Sequence, residues 1–206
     1  YLMNSVSLNW GPPVLLYDLD NESFTKIKNT PPETKIKQGD PGFLQNPIKG
    51  RYYYSDRSKE EIKECIDSYI RDYMKKTLIH NGELSNNDFN KVEYCFSSLW
   101  ANDYKDNQNV TQHIHSCDIS FLLYLKIDSK LLKEEPYPSG CTVFKYGEEQ
   151  DARALIPFLN SNFITPKEGQ LIVFPNNLNH YTVPFHNPNL RRVTLSGNID
   201  IQLSNW

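Results

Sequence analysis

The stretch QHIHSCDISFLLYL, residues 112–125, sets His113 and His115 one residue apart just ahead of an apolar segment, in a chain of 206 residues with five histidines. Residues i and i+2 of an extended strand project from the same face, so the two imidazoles can converge on one cation. A third ligand has to come from elsewhere. His180 is the best placed, because it follows GQLIVFPNNLN, a strand running into a turn, and precedes the strand-like YTVPF. Imidazole suits iron, zinc, nickel and copper, so the donor set alone does not choose the metal. A three-ligand site with open positions fits redox or Lewis-acid catalysis. The common oxygenase face is two histidines and one carboxylate, and Asp118 is the nearby acid. It can ligate only if residues 115–118 turn; the favoured readings have it orient a ligand histidine or cap the turn into the strand.

A second constellation follows in RVTLSGN, residues 192–198. Alternation puts Arg192, Thr194, Ser196 and Asn198 on one face and Val193 and Leu195 on the other. An arginine on a buried face needs a partner. A bound carboxylate would meet it bidentately, each charge-assisted bond contributing roughly 1.5–3 kcal/mol, and Ser196 could donate another. The competing reading is an exposed arginine on an edge strand. Arg191 points the opposite way, so one of the two arginines should be solvated. Tyr104 in WANDY and Tyr124 in FLLYL read either as hydroxyl donors to the same anion or as core tyrosines.

The elements that must position these residues are mostly strands. KVEYCFSSLWANDY, ISFLLYLKI, CTVFKYG, GQLIVFP, HYTVPF and RRVTLSGNIDIQL are short apolar or alternating runs separated by polar turns, the pattern of a sandwich or barrel. Ahead of them, SKEEIKECIDSYIRDYMKK (58–76) is the clearest helix, with Ile62, Ile66, Tyr69, Ile70, Tyr73 and Met74 at helical spacing. Ser58 and Glu61 have capping-box spacing, and Asn81-Gly82 should stop or turn the chain. PPVLLYDLD (12–20) reads as a strand at a sheet edge, and Asn21 to Phe24 as the start of a short helix. Residues 29–50 form an aperiodic loop, a lid or plain surface.

Formal charge is -3, which supplies no basic footprint for nucleic acid. A local cluster of Lys26, Lys28, Lys35 and Lys37 reads as solvated surface. Cys65, Cys95, Cys117 and Cys141 show no C-x-x-C or zinc-knuckle spacing, so reduced thiols in a cytoplasmic protein are the simplest expectation. No signal peptide is expected, and the sequence holds no apolar run of membrane length.

Four segments, WANDY (100–104), HIHSCDISFLLYL (113–125), EGQLIVFPNNLNHYTVPF (168–185) and RVTLSGN (192–198), occur in the order that resembles the 2-oxoglutarate- and iron(II)-dependent dioxygenases, especially a phage- and bacteria-associated branch related to prolyl hydroxylases. The resemblance covers roughly residues 95–200. It implies a mainly-β fold: a double-stranded β-helix, or jelly roll, with N-terminal supporting helices. The whole chain, 1–206, would be one domain, with helical support over about 20–90 and a core barrel over about 91–206. His113 and His180 match the family's metal histidines. Arg192 matches the residue that holds the distal carboxylate of 2-oxoglutarate, with Ser196, Tyr124 and Tyr104 at accompanying positions.

The departure is His115, where most members carry Asp or Glu; His115, Asp118 or water is then the third ligand. The cofactors implied are Fe(II) and 2-oxoglutarate, with O2 as co-substrate. The reaction would hydroxylate a C–H bond of a peptide, prolyl among the options, or of a small molecule, releasing succinate and CO2. Phe121, Leu123 and Phe174 would wall the site from water if they face inward. No nucleic-acid or membrane partner is expected. The rival readings are a cupin-type metal enzyme, which usually adds a glutamate shortly after H-x-H, and a non-catalytic jelly-roll binding module.

Overall fold

The computed structural model describes residues 5–8, 11–35, 50–79, 85–133, 139–147 and 161–203. Eleven strands are found among them. The large sheet has eight: β1 (Ser5–Leu8), β2 (Val14–Asp18), β3 (Thr34–Lys35), β4 (Arg51–Tyr53), β5 (Val92–Tyr104), β6 (Ile119–Ile127), β9 (Gln170–Pro175) and β11 (Arg192–Leu203). Their order across the sheet is β1-β2-β9-β6-β11-β5-β4-β3, every pairing antiparallel. The small sheet is β10 (Asn179–Thr182), β7 (Thr142–Lys145) and β8 (Ser161–Ile164), with β7 central.

The mainly-β class stands, but the jelly roll does not. The large sheet ends at β1 on one side and β3 on the other, the small sheet ends at β10 and β8, and neither closes into a barrel. Among the described residues, backbone pairing between the two sheets' neighbourhoods is sparse: an isolated antiparallel bridge, His113 to His180, with Thr182 N–H on the Val110 carbonyl at 3.0 Å beside it. β10, β7 and β8 are four residues each, too short to carry a continuous ladder round a barrel. Strands from ahead of residue 91 also enter the large sheet, and β2 is not its edge, because β1 covers it.

The central strands are apolar on both faces, as a sheet covered on both sides requires. On one face Phe121, Leu123, Leu171, Val173, Leu195 and Ile199 pack under α2 (Asp56–Met74), which buries Ile62, Ile66, Tyr69, Ile70, Tyr73 and Met74. On the other, Leu122, Tyr124, Ile172 and Phe174 meet Phe144 and Ile164 of the small sheet. Leu123 therefore belongs to the helix side and is not part of the site's wall.

The cap of α2 is Ser55, three residues earlier than the expected Ser58; its hydroxyl accepts from Ser58 N–H at 3.3 Å. Tyrosine hydroxyls clip the helix layer to the rest of the chain: Tyr17 donates to Asp72 at 2.8 Å, Tyr94 to Asp67 at 2.9 Å and Tyr73 to the Pro13 carbonyl at 3.0 Å. The short helix α1 (Asn21–Asn29) starts at Asp20, whose carboxylate accepts from Ser23 N–H at 2.8 Å. Asn81-Gly82, Lys37 and most of the 29–50 loop lie outside the described residues. Lys26 and Lys28 are in exposed ion pairs with Glu64 and Glu168. The four cysteines are unpaired. Among the described residues, no helix is long and apolar enough to cross a membrane.

Candidate metal centre

A β-bulge decides which side chains of β5 face the site. In the β5–β11 register Asn198 opposes Ser98 but Ile199 opposes Phe96, so one β5 residue is extra. Before it Val92, Tyr94 and Phe96 face the helix layer; after it Leu99 and Ala101 do. The flip turns Trp100, Asn102 and Tyr104 toward the small sheet. There, with Thr142, Phe174, His180, Ser196 and others, they line a cleft between the sheets.

The three sequence-predicted histidines meet at this cleft. His113 and His180 exchange backbone hydrogen bonds at 3.0 and 3.1 Å. His115 is fixed by its N–H to the Asn176 carbonyl at 2.9 Å. One ligand atom from each ring lies within 4.8 Å of the others, and the Nε2 atoms of His115 and His180 are 3.2 Å apart. Nδ1 of His113 faces the Thr111 carbonyl at 2.8 Å, and Nδ1 of His180 faces the Leu178 carbonyl at 2.9 Å. A carbonyl only accepts, so both Nδ1 atoms carry the proton and both Nε2 lone pairs are left for a metal. Burial pushes His180 down to about 3 and His115 to about 4, with repulsion from neighbouring imidazoles adding to it, and it lowers His113 as well. The rings are therefore neutral at pH 7, the form that ligates a cation.

Asp118 is not in this cluster. Its carboxylate accepts from Ile201 N–H at 2.7 Å, and its own backbone pairs with Ile199 and Asn176, so it ties the entry of β6 to β11.

Arg192 is fully buried, as are Thr194 and, nearly so, Ser196 on the same face of β11. Arg191 points away and grips Asp103 at 2.7 and 2.8 Å. The Arg192 guanidinium lies over the rings of Tyr104 (4.6 Å) and Tyr124 (5.2 Å), and one Nη donates to Thr142 Oγ1 at 3.1 Å. Thr142 also bonds the Tyr124 hydroxyl at 2.8 Å. Nε and Nη1 of Arg192 are buried without a hydrogen-bond partner, as is Thr194 Oγ1. Gly140 permits this seat: its φ is +76°, and a Cβ there would stand 2.7 Å from Leu131 and 3.2 Å from Arg192 Cδ. Two orphaned nitrogens, with their N–H groups, on a buried cation are costly unless an anion meets them. The arrangement fits a carboxylate entering past Thr142 and Tyr104, both of which line the cleft.

Thr142, Asn102, Trp100 and Arg51 were not singled out by the sequence. Arg51 donates to Asn102 Oδ1 at 2.9 Å and sits 5.9 Å from the Trp100 ring. WANDY carried a usable signal in its alternation, but Arg51 comes from a three-residue strand with none.

Residues 98–198 match the family model described as "Putative 2OG-Fe(II) oxygenase". The chain belongs to the 2-oxoglutarate- and iron(II)-dependent oxygenases and is an enzyme of that class. No curated protein matches it in sequence. Among solved structures it is similar to EvdO2 from Micromonospora carbonacea var. aurantiaca complexed with 2-oxoglutarate, with a TM-score of 0.53 at 9% identity over 100% of this chain and 96% of that one. HygX from Streptomyces hygroscopicus gives a TM-score of 0.49 at 10% identity, covering 92% and 83%. A Pseudomonas putida prolyl-4-hydroxylase gives 0.47 at 15%, covering 73% and 70%. At such identities likeness speaks to fold and leaves the substrate open.

Proposed function

We propose that His113, His115 and His180 hold Fe(II), and that 2-oxoglutarate binds beside it with its far carboxylate on Arg192. O2 is the co-substrate, and the product is a hydroxylated peptide or small molecule, with succinate and CO2 released. The single observation that carries this reading is the buried Arg192 guanidinium with two unpartnered nitrogens, Nε and Nη1, next to a cleft that presents three neutral imidazoles. Fe(II) with 2-oxoglutarate and O2 supplies the oxidising chemistry when bound, and the protein supplies position and shelter.

The chain's own contributions follow from the geometry. The Thr111 and Leu178 carbonyls fix the tautomer of two ligand rings. The hydroxyls of Thr142 and Tyr124 stand beside the guanidinium as further partners for the carboxylate, while Ser196 and Tyr104 line the way in. Leu122 and Phe174 keep the interior of the cleft apolar and exclude water. EvdO2, similar in fold, is a complex with 2-oxoglutarate, which agrees with an anion seat of this kind. A prolyl substrate has only the family resemblance behind it.

The test is succinate formation with Fe(II) and calorimetric binding of 2-oxoglutarate to the Mn(II)-loaded protein. His180→Ala should abolish succinate formation, and Arg192→Ala should mainly raise the 2-oxoglutarate requirement. Wild-type turnover in both variants would refute the assignment.

A further inference from the structure

The ligand set departs from the common one in its charge. The usual oxygenase face is two histidines and one carboxylate. Here the third member of the cluster is His115, and an imidazole ligates as the neutral ring. Asp118 is held on Ile201 N–H at 2.7 Å, and no Asp or Glu is among the described residues lining the cleft. The protein therefore offers the ion neutral donors. Two further features act in the same direction. Donation from Nδ1–H to a carbonyl makes a ligand ring more basic, and His113 and His180 have such partners in the Thr111 and Leu178 carbonyls. His115 has none among the described residues: its side-chain hydrogen bonding is confined to Nε2, 3.2 Å from Nε2 of His180. The surroundings of the rings are aromatic, with Trp100 5.9 Å from His115, and Phe174 and Phe144 4.8 and 5.7 Å from His180. An apolar shell lowers the local dielectric and lengthens the reach of any charge.

Loss of one electron raises the charge of an iron ion by one. A carboxylate ligand stabilises that added charge and a neutral imidazole does not, so net charge and ligand basicity set the balance between the two oxidation states. With His115 in the third position the balance moves toward Fe(II). Off-pathway oxidation transfers one electron from Fe(II) to O2, leaving Fe(III) and superoxide. Its driving force falls as the potential of the iron rises.

We propose that His115 is the potential-setting ligand of the centre: it holds the iron ferrous against one-electron loss to O2 when no substrate is bound, and so preserves the enzyme in air without an added reductant. This rests on the reading that the three histidines hold Fe(II).

The experiment uses the full chain loaded anaerobically with Fe(II) and poised electrochemically through mediators, with the ferric fraction read by electron paramagnetic resonance. At the wild-type midpoint, His115→Asp should raise the ferric-to-ferrous ratio at least tenfold, a midpoint lower by about 59 mV or more for one electron. His115→Asn, which has the shape of the aspartate without its charge, should stay nearer to the wild type than to His115→Asp. Where the aspartate variant does not fold or load, His115→Ala gives the same comparison with added ligands: imidazole should return the midpoint to the wild-type value, and acetate should hold it below. A midpoint in His115→Asp that is not lowered tenfold, an equal fall in His115→Asn, or acetate and imidazole acting alike on His115→Ala overturns the proposal. Wild-type protein that takes up no Fe(II), read by calorimetry before poising, refutes the underlying assignment instead.

Discussion

At the scale of single residues, Arg192 shows stability and function pulling apart. A fully buried guanidinium with two unmet nitrogens destabilises the unliganded protein, because desolvation is not offset. Arg192→Met should therefore leave the unliganded enzyme no less stable in urea unfolding, and up to about 2 kcal/mol more stable, since apolar replacement of buried ionic groups is often neutral or better. Its affinity for 2-oxoglutarate should fall at least ~100-fold, as expected from losing a charged partner. Loss of several kcal/mol of stability would instead mean that Thr142 and the two tyrosine rings already satisfy the guanidinium. The position was legible beforehand because alternation from Val193 and Leu195 leaves Arg192, Thr194 and Ser196 only one face to occupy. The roles of Thr142 and Arg51 were not, because their value comes from strands that meet only in three dimensions. Asp118 is a different case: the sequence left ligation open but favoured its orienting a histidine or capping the turn into the strand, and its carboxylate is held by a backbone N–H of β11.

At the scale of elements, the bulge in β5 and Gly197, two residues short of Ile199 on the partner strand, set the site's aim. Gly197 sits where a Cβ would approach Phe121 ring carbons at 2.4 and 2.6 Å and Leu99 Cδ1 at 2.9 Å. Phe121 is itself buried in the helix-side core, so it cannot swing into solvent. Gly197→Ala should destabilise the fold by roughly 1–3 kcal/mol through overpacking, measured by denaturant unfolding. The same variant should lower 2-oxoglutarate affinity, because Ser196 adjoins it on the cleft side. Helix caps give a second, pH-resolved test. The Ser23 backbone N–H holds the Asp20 carboxyl below its ordinary range. A depressed folded-state pKa means stability that is present above the unfolded pKa of about 3.9 and lost as pH falls through the folded value. Asp20→Ala should cost about 1 kcal/mol at pH 7, and the gap to wild type should close below pH 4 in thermal melts. α2 itself was readable from its 3.6-residue period. Its cap was misplaced by one turn because Ser58-x-x-Glu61 is the stronger pattern in sequence, whereas the chain direction at Ser55 decides which hydroxyl meets the free N–H groups.

At the scale of the molecule, strand segments were legible and their pairing was not. Apolar runs of four to nine residues announce strands, but whether a sheet closes depends on non-local edges, and here β1 and β3 remain edges. β8 escaped notice because SNFI is four residues without clear alternation. The open arrangement has a thermodynamic consequence. His113 and His115 sit in the connection from β5 to the large sheet's β6, while His180 is on β10 of the small sheet, and the backbone bonds that join them are few: the His113–His180 bridge and Thr182 N–H to the Val110 carbonyl. A metal held by all three ligates the two sheets together and binds only when both are folded, so it should stabilise by RT ln(1 + [L]/Kd), about 2.7 kcal/mol at a hundredfold excess over Kd. For a chain of this size each kcal/mol moves the melting temperature by roughly 2–4 °C, so Mn(II) at that excess should raise it by about 5–10 °C. The gain should nearly vanish in His180→Ala, which cuts the link at the small sheet. Hydrogen exchange should locate the effect, slowing at Val143 and Tyr181 of the small sheet and changing little at Leu195 in the middle of the large one. Equal slowing in both sheets would mean that they already unfold as one unit without the ion.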